Sequence, residues 1–477
     1  MKIIISDFGP VKSFEFNMAK SFIGIFGKNN SGKSYSISTV YIIIKNIIEI
    51  YSDLSFYLRI LIDNDIEEFK EKLKKSYRSR KGDVDIKEQF ELFFKSIVSE
   101  IFIERLSNSF YSTFNDLKNL NRQSSKNYPK IILDSDLLKL SFVIKKEIIL
   151  DDVKIKDKII LRQIKTNRNL KYEKHKTILY ISSTNDDTFN KNCYEYSNMV
   201  LLSFIEEVTN YVDYVYYLPA SRSGLYQALS AFSQIFAELA QKRGFFINKF
   251  EIPNIPEPLS DYFLRLSEIN VRSKHYLAQS ELYNIVEEIE KEILKGEVFF
   301  DDDNKKMFYI PENLNIRLDV SMTSSMVSEI SPIVSYLKYI LPKNTRKRSF
   351  PSKKGKNAVL KKPNKTLIFI EEPEAHLHPG VQIQLMEIFS KLTKMNVKIV
   401  ITSHSNYMFN RMNNLILAKK LLPENIQVLV FDESENGSIA NTTEIDELGV
   451  EDNNFLDVAE ELYKEKIELI EKINGEG

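Results

Sequence analysis

The octet Gly27-Lys28-Asn29-Asn30-Ser31-Gly32-Lys33-Ser34 constrains this chain most, because it fits the phosphate-binding pattern of two glycines, a lysine and a hydroxyl residue at fixed spacing. Glycines allow a bend tight enough for backbone N–H groups to point inward, so Gly27, Asn29, Asn30, Ser31 and Gly32 are predicted to cradle a triphosphate. Lys33 would reach the outer phosphates, and the Ser34 hydroxyl would face Mg²⁺. The flanks suit such a loop. Phe22-Ile23-Gly24-Ile25-Phe26 reads as a short buried strand. Ser36 through Ile50 reads as a largely buried helix, whose N-terminus adds partial positive charge. Strand, loop and helix together predict an α/β fold.

A chain of 477 residues holds two or three domains, or one large elaborated one. Lys+Arg and Asp+Glu balance at 66 each, so net charge argues for no partner and only local clusters can. The single cysteine, Cys193, excludes an internal disulfide framework and suits a reducing compartment. Met1-Lys2-Ile3-Ile4-Ile5 gives way at once to Ser6 and Asp7, unlike a signal peptide. The apolar run near Val40–Ile50 is broken by Lys45, Asn46 and Glu49, too early for a bilayer span. A soluble cytoplasmic protein with no membrane partner is expected.

In chain order, Lys2–Ile5 and Val11–Phe16 alternate like paired strands around Phe8-Gly9-Pro10 and deliver the chain into the strand before the loop. From Ile50 to about Ser125 the pattern is helical, interrupted by a basic cluster (Lys72, Lys74, Lys75, Arg78, Arg80, Lys81) that reads as a solvated turn. From Lys130 to Ser183 the period falls towards two, predicting an antiparallel sheet. Met199–Glu207 is helical, and Tyr214–Leu218 is a core strand ending in Pro219-Ala-Ser-Arg-Ser-Gly224. Such a turn is where open α/β sheets place ligand groups, so Arg222 would meet phosphate or a partner carboxylate, unless it is a surface arginine paired locally. Leu225 to about Gly296 is mostly helical. Met307–Ile310 and Ile316–Val320 read as a strand pair, and Ser321-Met-Thr-Ser-Ser325 opens a helix over Met326–Leu341. Those hydroxyls either cap the helix or help its N-terminus face an anion, one that could belong to a second subunit. Lys343–Lys365 holds ten basic residues and no acidic one, which suits either a phosphate backbone or a solvated tract.

The second strong feature is Thr366-Leu-Ile-Phe-Ile370, a continuous apolar strand running into Glu371-Glu372-Pro373-Glu374-Ala375-His376-Leu377-His378-Pro379. Adjacent carboxylates at the end of a core strand repel unless a cation or polarised water accepts them. With a phosphate-bound Mg²⁺, Glu371 would help hold the metal and Glu372 would polarise the attacking water. Zinc on His376 and His378 is the weaker alternative, because no third ligand stands at metal spacing. After a helix over Val381–Thr393, the strand Val397–Ile401 enters Thr402-Ser403-His404-Ser405, and His404 at its end would sense or stabilise the γ-phosphate. Ile426–Asp432 is a further strand, Asn436-Gly437 a turn, and Phe455–Ile473 a charged amphipathic helix.

The order of these motifs resembles the ABC-type ATPases of the SMC/RecF/OLD branch, in the AAA family often found among prokaryotic defence ATPases. The likeness is anchored at residues 1–50 and about 320–450. It implies an α/β, ABC-type P-loop NTPase head with an antiparallel β lobe and a helical insertion lobe. The implied core spans residues 1–50, 201–224 and 321–450. Residues 51–200 would form a helical plus β insertion, 225–320 a helical lobe leading to the signature helix, and 451–477 a C-terminal helix. By resemblance, Lys33 and Ser34 belong to Walker A, Glu371 and Glu372 to Walker B plus catalytic glutamate, and Glu374–Pro379 to the D-loop region. Ser324 and Ser325 lie in the signature position, and His404 is the switch histidine.

Two features depart from the general pattern. Glu371 stands where general ABC proteins carry aspartate, though the OLD-like branch resembles this sequence in using glutamate, and the signature segment lacks paired glycines. Long heptad arms are missing, and the tail after His404 is too short for the Toprim nuclease of OLD proteins, so any nuclease would be a separate chain. The implied cofactors are ATP and Mg²⁺. The implied behaviour is an ATPase that forms a homodimer or higher oligomer, head to tail, on ATP. The expected role is a sensor or regulator in prokaryotic anti-phage defence with a separately encoded effector, a nuclease or toxin. A RecF-like DNA repair ATPase, touching nucleic acid through Lys343–Lys365, and a slow ATP-dependent assembly scaffold are the alternatives.

Overall fold

The apolar strands predicted around the phosphate loop lie side by side in a computed structural model of the chain. It describes all residues except 78–82, 123–126, 166–167, 183–186, 229–254, 270–281, 303–304, 345–363, 447–448, 451–462, 469 and 471–477. Tyr214–Leu218, Thr366–Glu371, Val397–Ser403, Phe22–Gly27 and Ile426–Asp432 form, in that spatial order, the parallel half of an 11-stranded sheet. Every residue of Phe22–Gly27 and of Thr366–Glu371 is buried. Continuous burial follows from covering both faces, as parallel sheets require. Ile23 and Ile25 face one core with the helices Lys33–Tyr77, Lys87–Phe114 and Asp187–Thr209. Phe22 and Phe26 face the other, with the helices Pro379–Leu392 and Asn406–Leu417.

The antiparallel half carries the alternation seen in the sequence. Lys2–Phe8 pairs with Val11–Asn17 across the Gly9-Pro10 turn, as predicted. Lys130–Asp134, Leu138–Ile144 and Ile148–Ile155 then extend the same sheet outward. The antiparallel β lobe is therefore continuous with the core sheet. Ser438–Thr442 joins the halves, antiparallel to Ile426–Asp432 and parallel to Val11–Asn17.

Part of the predicted antiparallel sheet runs otherwise. Lys158–Ile164 and Lys176–Ser182 pair in parallel, in a separate 4-stranded sheet with Val84–Asp85 and Lys171–Glu173. Lys171–Glu173 already occupies one edge of Lys176–Ser182 as its hairpin partner, so the earlier strand takes the other edge, in the opposite direction to Lys171–Glu173. The helix after the phosphate loop also outruns its predicted Ser36–Ile50, extending to Tyr77.

The lobe beyond Tyr214–Leu218 contains the helices Glu257–Ser267 and Leu282–Glu288, a π-helical turn at Ile289–Leu294 and a 3-stranded sheet. In that sheet Lys306–Pro311 pairs chiefly with Gly296–Asp301, and the predicted partner contributes only Leu318–Asp319. Ser325–Ser335 follows as a helix and changes to a π turn at Tyr336–Ile340. Most of the basic tract Lys343–Lys365 and of the predicted C-terminal helix lie outside the described residues, as do Arg78, Arg80 and Lys81. Among the described residues no helix is long and apolar enough to cross a membrane.

Candidate nucleotide site

Strand register brings the motifs together. Glu371 pairs with Thr402, Ser403 with Phe26, and Phe431 with Gly27, so three motif-bearing strands end at one edge of the sheet. That edge is the carboxyl end of a parallel sheet, the usual place for a ligand. Gly27 has φ +141°, and a Cβ there would meet Phe431 Cβ at 2.8 Å. Gly32 has φ +93°, and its Cβ would stand 2.6 Å from a Val11 methyl. At both positions only glycine satisfies conformation and space together. Lys28, Asn29 and Asn30 are exposed at the bend and Ser31 is buried beneath it. The helix begins cleanly, with Ser36 N–H and Oγ both donating to Gly32 O, at 3.0 and 3.1 Å.

Lys33 is buried under the loop. Its Nζ donates to Gly27 O at 2.9 Å and Lys28 O at 2.6 Å. Burial pushes its pKa down to about 8, partly offset by Glu372 and Glu374. His404 sits beside it, with Nδ1 3.3 Å from Lys33 Nζ and 2.8 Å from Gly27 O. Across the ring, Nε2 lies 3.1 Å from Glu372 Oε1. Three residues far apart in sequence thus form one chain of contacts, Lys33 to His404 to Glu372. The His404 bond holds the Glu372 carboxyl below its ordinary pKa, against the effect of burial.

The backbone at Glu372 is unusual. Its φ is +41°, a left-handed conformation costly for a non-glycine residue. It is held from two sides. Glu372 N–H donates to Thr402 O at 3.0 Å, and Glu372 O accepts from Arg222 Nη2 at 3.3 Å. The adjacent Glu371 is buried, with Oε2 accepting from Ala220 N–H at 3.1 Å. Tyr217, bonded through its hydroxyl to Ser38 Oγ at 3.0 Å, lies beside Glu371, and burial raises the phenol's pKa well above its usual value.

The residues suit Mg²⁺ on the chemistry of the donor set, a hydroxyl at Ser34 and a carboxylate at Glu371. Among the described residues no group of three or more His, Cys, Asp and Glu could hold a metal unaided. Mg²⁺ commonly takes one or two protein oxygens together with substrate phosphates. When bound, Mg²⁺ would neutralise charge developing on the phosphates. His378 is not placed as a zinc ligand, because its Nδ1 accepts from Gly380 N–H at 3.2 Å and caps the helix Pro379–Leu392.

Arg222 requires correction. From sequence, Arg222 is expected either at phosphate or a partner carboxylate or at the surface in a local pair, and the side chain is instead wholly buried. Nη1 donates to Pro219 O and Glu371 O at 3.1 and 2.7 Å, and Nε to Glu329 O at 3.2 Å. Its carboxylate is Glu329 of the same chain, 3.2 Å away and equally buried. Its hydrogen bonds all go to carbonyls of its own chain, and its burial keeps it from a nucleotide.

Ser324 and Ser325 are exposed at the start of the helix Ser325–Ser335, where Ser324 Oγ accepts from Val327 N–H at 3.4 Å. Capping, one of the two readings of these hydroxyls, is therefore realised. The contact chain of Lys33, His404 and Glu372 does not include them.

Two further carboxylates take part, Glu329, to which the sequence gives no role, and Glu374, which it places only within the D-loop region. Glu329 is the sole carboxylate in that apolar helix, an oddity visible in Val327-Ser-Glu-Ile-Ser-Pro-Ile-Val334. Glu374, seen only as part of a segment, accepts from His404 N–H at 2.6 Å and Ser403 Oγ at 2.8 Å. Burial raises its pKa, and its second oxygen is buried without a hydrogen-bond partner.

With this geometry stands a sequence match. Residues 356–410, which carry Glu371, Glu372, Glu374 and His404, match the family described as "AAA domain, putative AbiEii toxin, Type IV TA system". That segment is thus similar to an AAA-family domain. No curated protein matches significantly. Among solved structures, the SmcHead bound to the C-winged helix domain of ScpA is 10% identical at TM-score 0.37, covering 93% of this chain and 97% of its own. The Smc head with an extended coiled coil, bound to the C-terminal domain of ScpA from Pyrococcus furiosus, gives 10%, 0.34, 99% and 98%. The SMC head domain from Thermotoga maritima gives 8%, 0.32, 93% and 98%. Likenesses so distant leave the reading of the site to its own geometry.

Proposed function

We propose that the protein is an ATPase that binds ATP with Mg²⁺ at the Gly27–Ser34 loop. The observation that carries this is the convergence of Lys33, His404 and Glu372 at the carboxyl edge of the parallel sheet. Lys33 and the loop amides bind the phosphates, with Ser34 and Glu371 as metal oxygens. Glu372, aimed by its strained backbone and kept ionised through His404, orients and deprotonates the attacking water. His404 spans Gly27 O and Glu372, so it joins phosphate loop and base. The chain dimerises head to tail on ATP, with Ser324 and Ser325 facing the other subunit's nucleotide. Their exposure on a helix N-terminus suits that role.

In the cell the protein acts as a sensor or regulator in prokaryotic anti-phage defence, working with a separately encoded nuclease or toxin. The toxin–antitoxin wording of the matched family favours such a partner. The second reading, a DNA-activated repair ATPase, rests on the basic tract between Lys343 and Lys365. Turnover of the purified protein, with and without double-stranded DNA and against Lys33→Ala, decides between them. Turnover that needs Lys33 and ignores DNA supports the defence reading. Stimulation by DNA moves the assignment to repair, and turnover unaffected by Lys33→Ala overturns the ATPase.

A further inference from the structure

We infer that the buried Arg222–Glu329 pair is a positioning strap, which ties the aim of Glu372 to the exposed helix start at Ser324 and Ser325. The inference rests on the ATPase reading for its functional meaning, but the strap itself can be tested without turnover. Both side chains are fully buried, where an ion pair gives little net stability over apolar residues of the same shape. Its geometry serves connection. One guanidinium reaches three carbonyls at the two strand ends, those of Pro219, Glu371 and Glu372, and also Glu329 O on the helix. Glu329 in turn holds the neighbouring residue, its Oε1 accepting from Ser223 N–H at 3.2 Å and Ser223 Oγ at 2.6 Å.

The chain of contact is contiguous. Ser325 opens the helix, and Glu329 lies one turn in, on its buried side. Arg222 spans from Glu329 to Glu372 O, and Glu372 has the left-handed φ of +41°. A residue in that region keeps its conformation only while its surroundings insist on it. A displacement of the helix start therefore pulls on the carbonyl that sets where the Glu372 carboxylate points. Behind Glu329 the helix has Pro332 and then the π turn Tyr336–Ile340, so its first turns are not the end of one stiff α-helical rod. In the proposed dimer, whatever touches Ser324 and Ser325 acts through this strap on the touched subunit's own base.

Glu329→Gln keeps the shape and an acceptor for Ser223 while removing the charge, and Arg222→Lys keeps the charge while removing the planar fork. For both, kcat is expected to fall about ten- to hundredfold, with Kd for a fluorescent ATP analogue within about twofold of the parent. Glu290→Gln is the control, since it breaks another inward-facing pair of the same lobe, Lys338 Nζ to Glu290 Oε1 at 2.6 Å, off the proposed path. It is expected to lower the melting temperature and leave kcat unchanged. Amide exchange at Glu372 and Glu374, read without nucleotide, is expected to quicken in Glu329→Gln and not in Glu290→Gln. Unchanged exchange there, or a loss of kcat no greater than the control's, overturns the strap. A parent protein with no turnover but with quickened exchange in Glu329→Gln overturns the ATPase reading alone.

Discussion

Two charged clusters flank the end of the strand Thr366–Glu371, and they differ chiefly in access to water. On one side Lys33, His404 and Glu372 meet at the loop, with Glu372 40% and His404 27% exposed. On the other, Arg222 and Glu329 meet with no exposure at all. The part-exposed Glu372 and His404 can exchange partners for phosphate oxygens and water, because both regain solvation as they let go, while Lys33 stays buried beneath them. A closed pair has no such exchange, so its value lies in holding geometry. On the proposed reading, similar side chains therefore serve binding chemistry on one side of Glu371-Glu372 and positioning on the other.

Breaking the open cluster gives the largest effect on rate. Glu372→Gln should lower ATP turnover by roughly 10²–10⁴-fold, the usual worth of a positioned general base. ATP should remain bound and the ATP-dependent assembly should accumulate, as read by size-exclusion chromatography with light scattering. A variant turning over at the parent's rate would remove Glu372 from its role. Breaking the closed pair gives the largest effect on stability. Arg222→Ala leaves Glu329 buried without its counter-charge and should cost about 3–5 kcal/mol in urea unfolding. Replacing Arg222 and Glu329 together with methionine should recover most of that loss but not turnover. Full recovery of turnover would show that the closed pair only fills space.

Glu374 stands between these extremes. It accepts from His404 N–H and Ser403 Oγ, and its free oxygen is buried. Glu374→Ala should cost about 1–3 kcal/mol by leaving two donors unmet, and should slow turnover through a misplaced His404. A variant as stable and as fast as the parent would mean that the Ser405 cap on the helix Asn406–Leu417 suffices to place His404.

The open cluster was legible in the sequence because its chemistry is local to motifs. Gly27, Gly32 and Lys33 announce themselves by spacing, and Glu371, Glu372 and His404 by ending apolar strands. The parallel half of the sheet was legible for the same reason, since burial on both faces leaves a continuous apolar run. The closed pair was not. Arg222 reads as a loop residue open to ligand, and only packing against a helix more than a hundred positions later makes it structural. The parallel pairing of Lys158–Ile164 with Lys176–Ser182 was hidden likewise, because alternation gives a strand's faces and not its neighbour's direction.

The smallest expected effect tests whether Lys33 is as enclosed as its contacts imply. Burial lowers its pKa from 10.5 to about 8 in the folded protein, whereas the unfolded chain keeps the ordinary value. Between those two values the unfolded state binds more protons, so stability rises with pH over that window. With water screening the loop mouth, the gain should be roughly 1 kcal/mol. Lys398 is shifted in the same direction, also to about 8, so the whole-protein slope mixes the two. The difference between parent and Lys33→Met isolates Lys33, because Lys398 is common to both. Denaturant unfolding of nucleotide-free protein at pH 7.5 and pH 10 should therefore show the parent gaining about 1 kcal/mol more than the variant. Added ATP should erase that difference, because triphosphate charge beside Nζ favours the protonated amine. Equal gains in the two proteins would place Lys33 in water, outside the contact chain with His404 and Glu372.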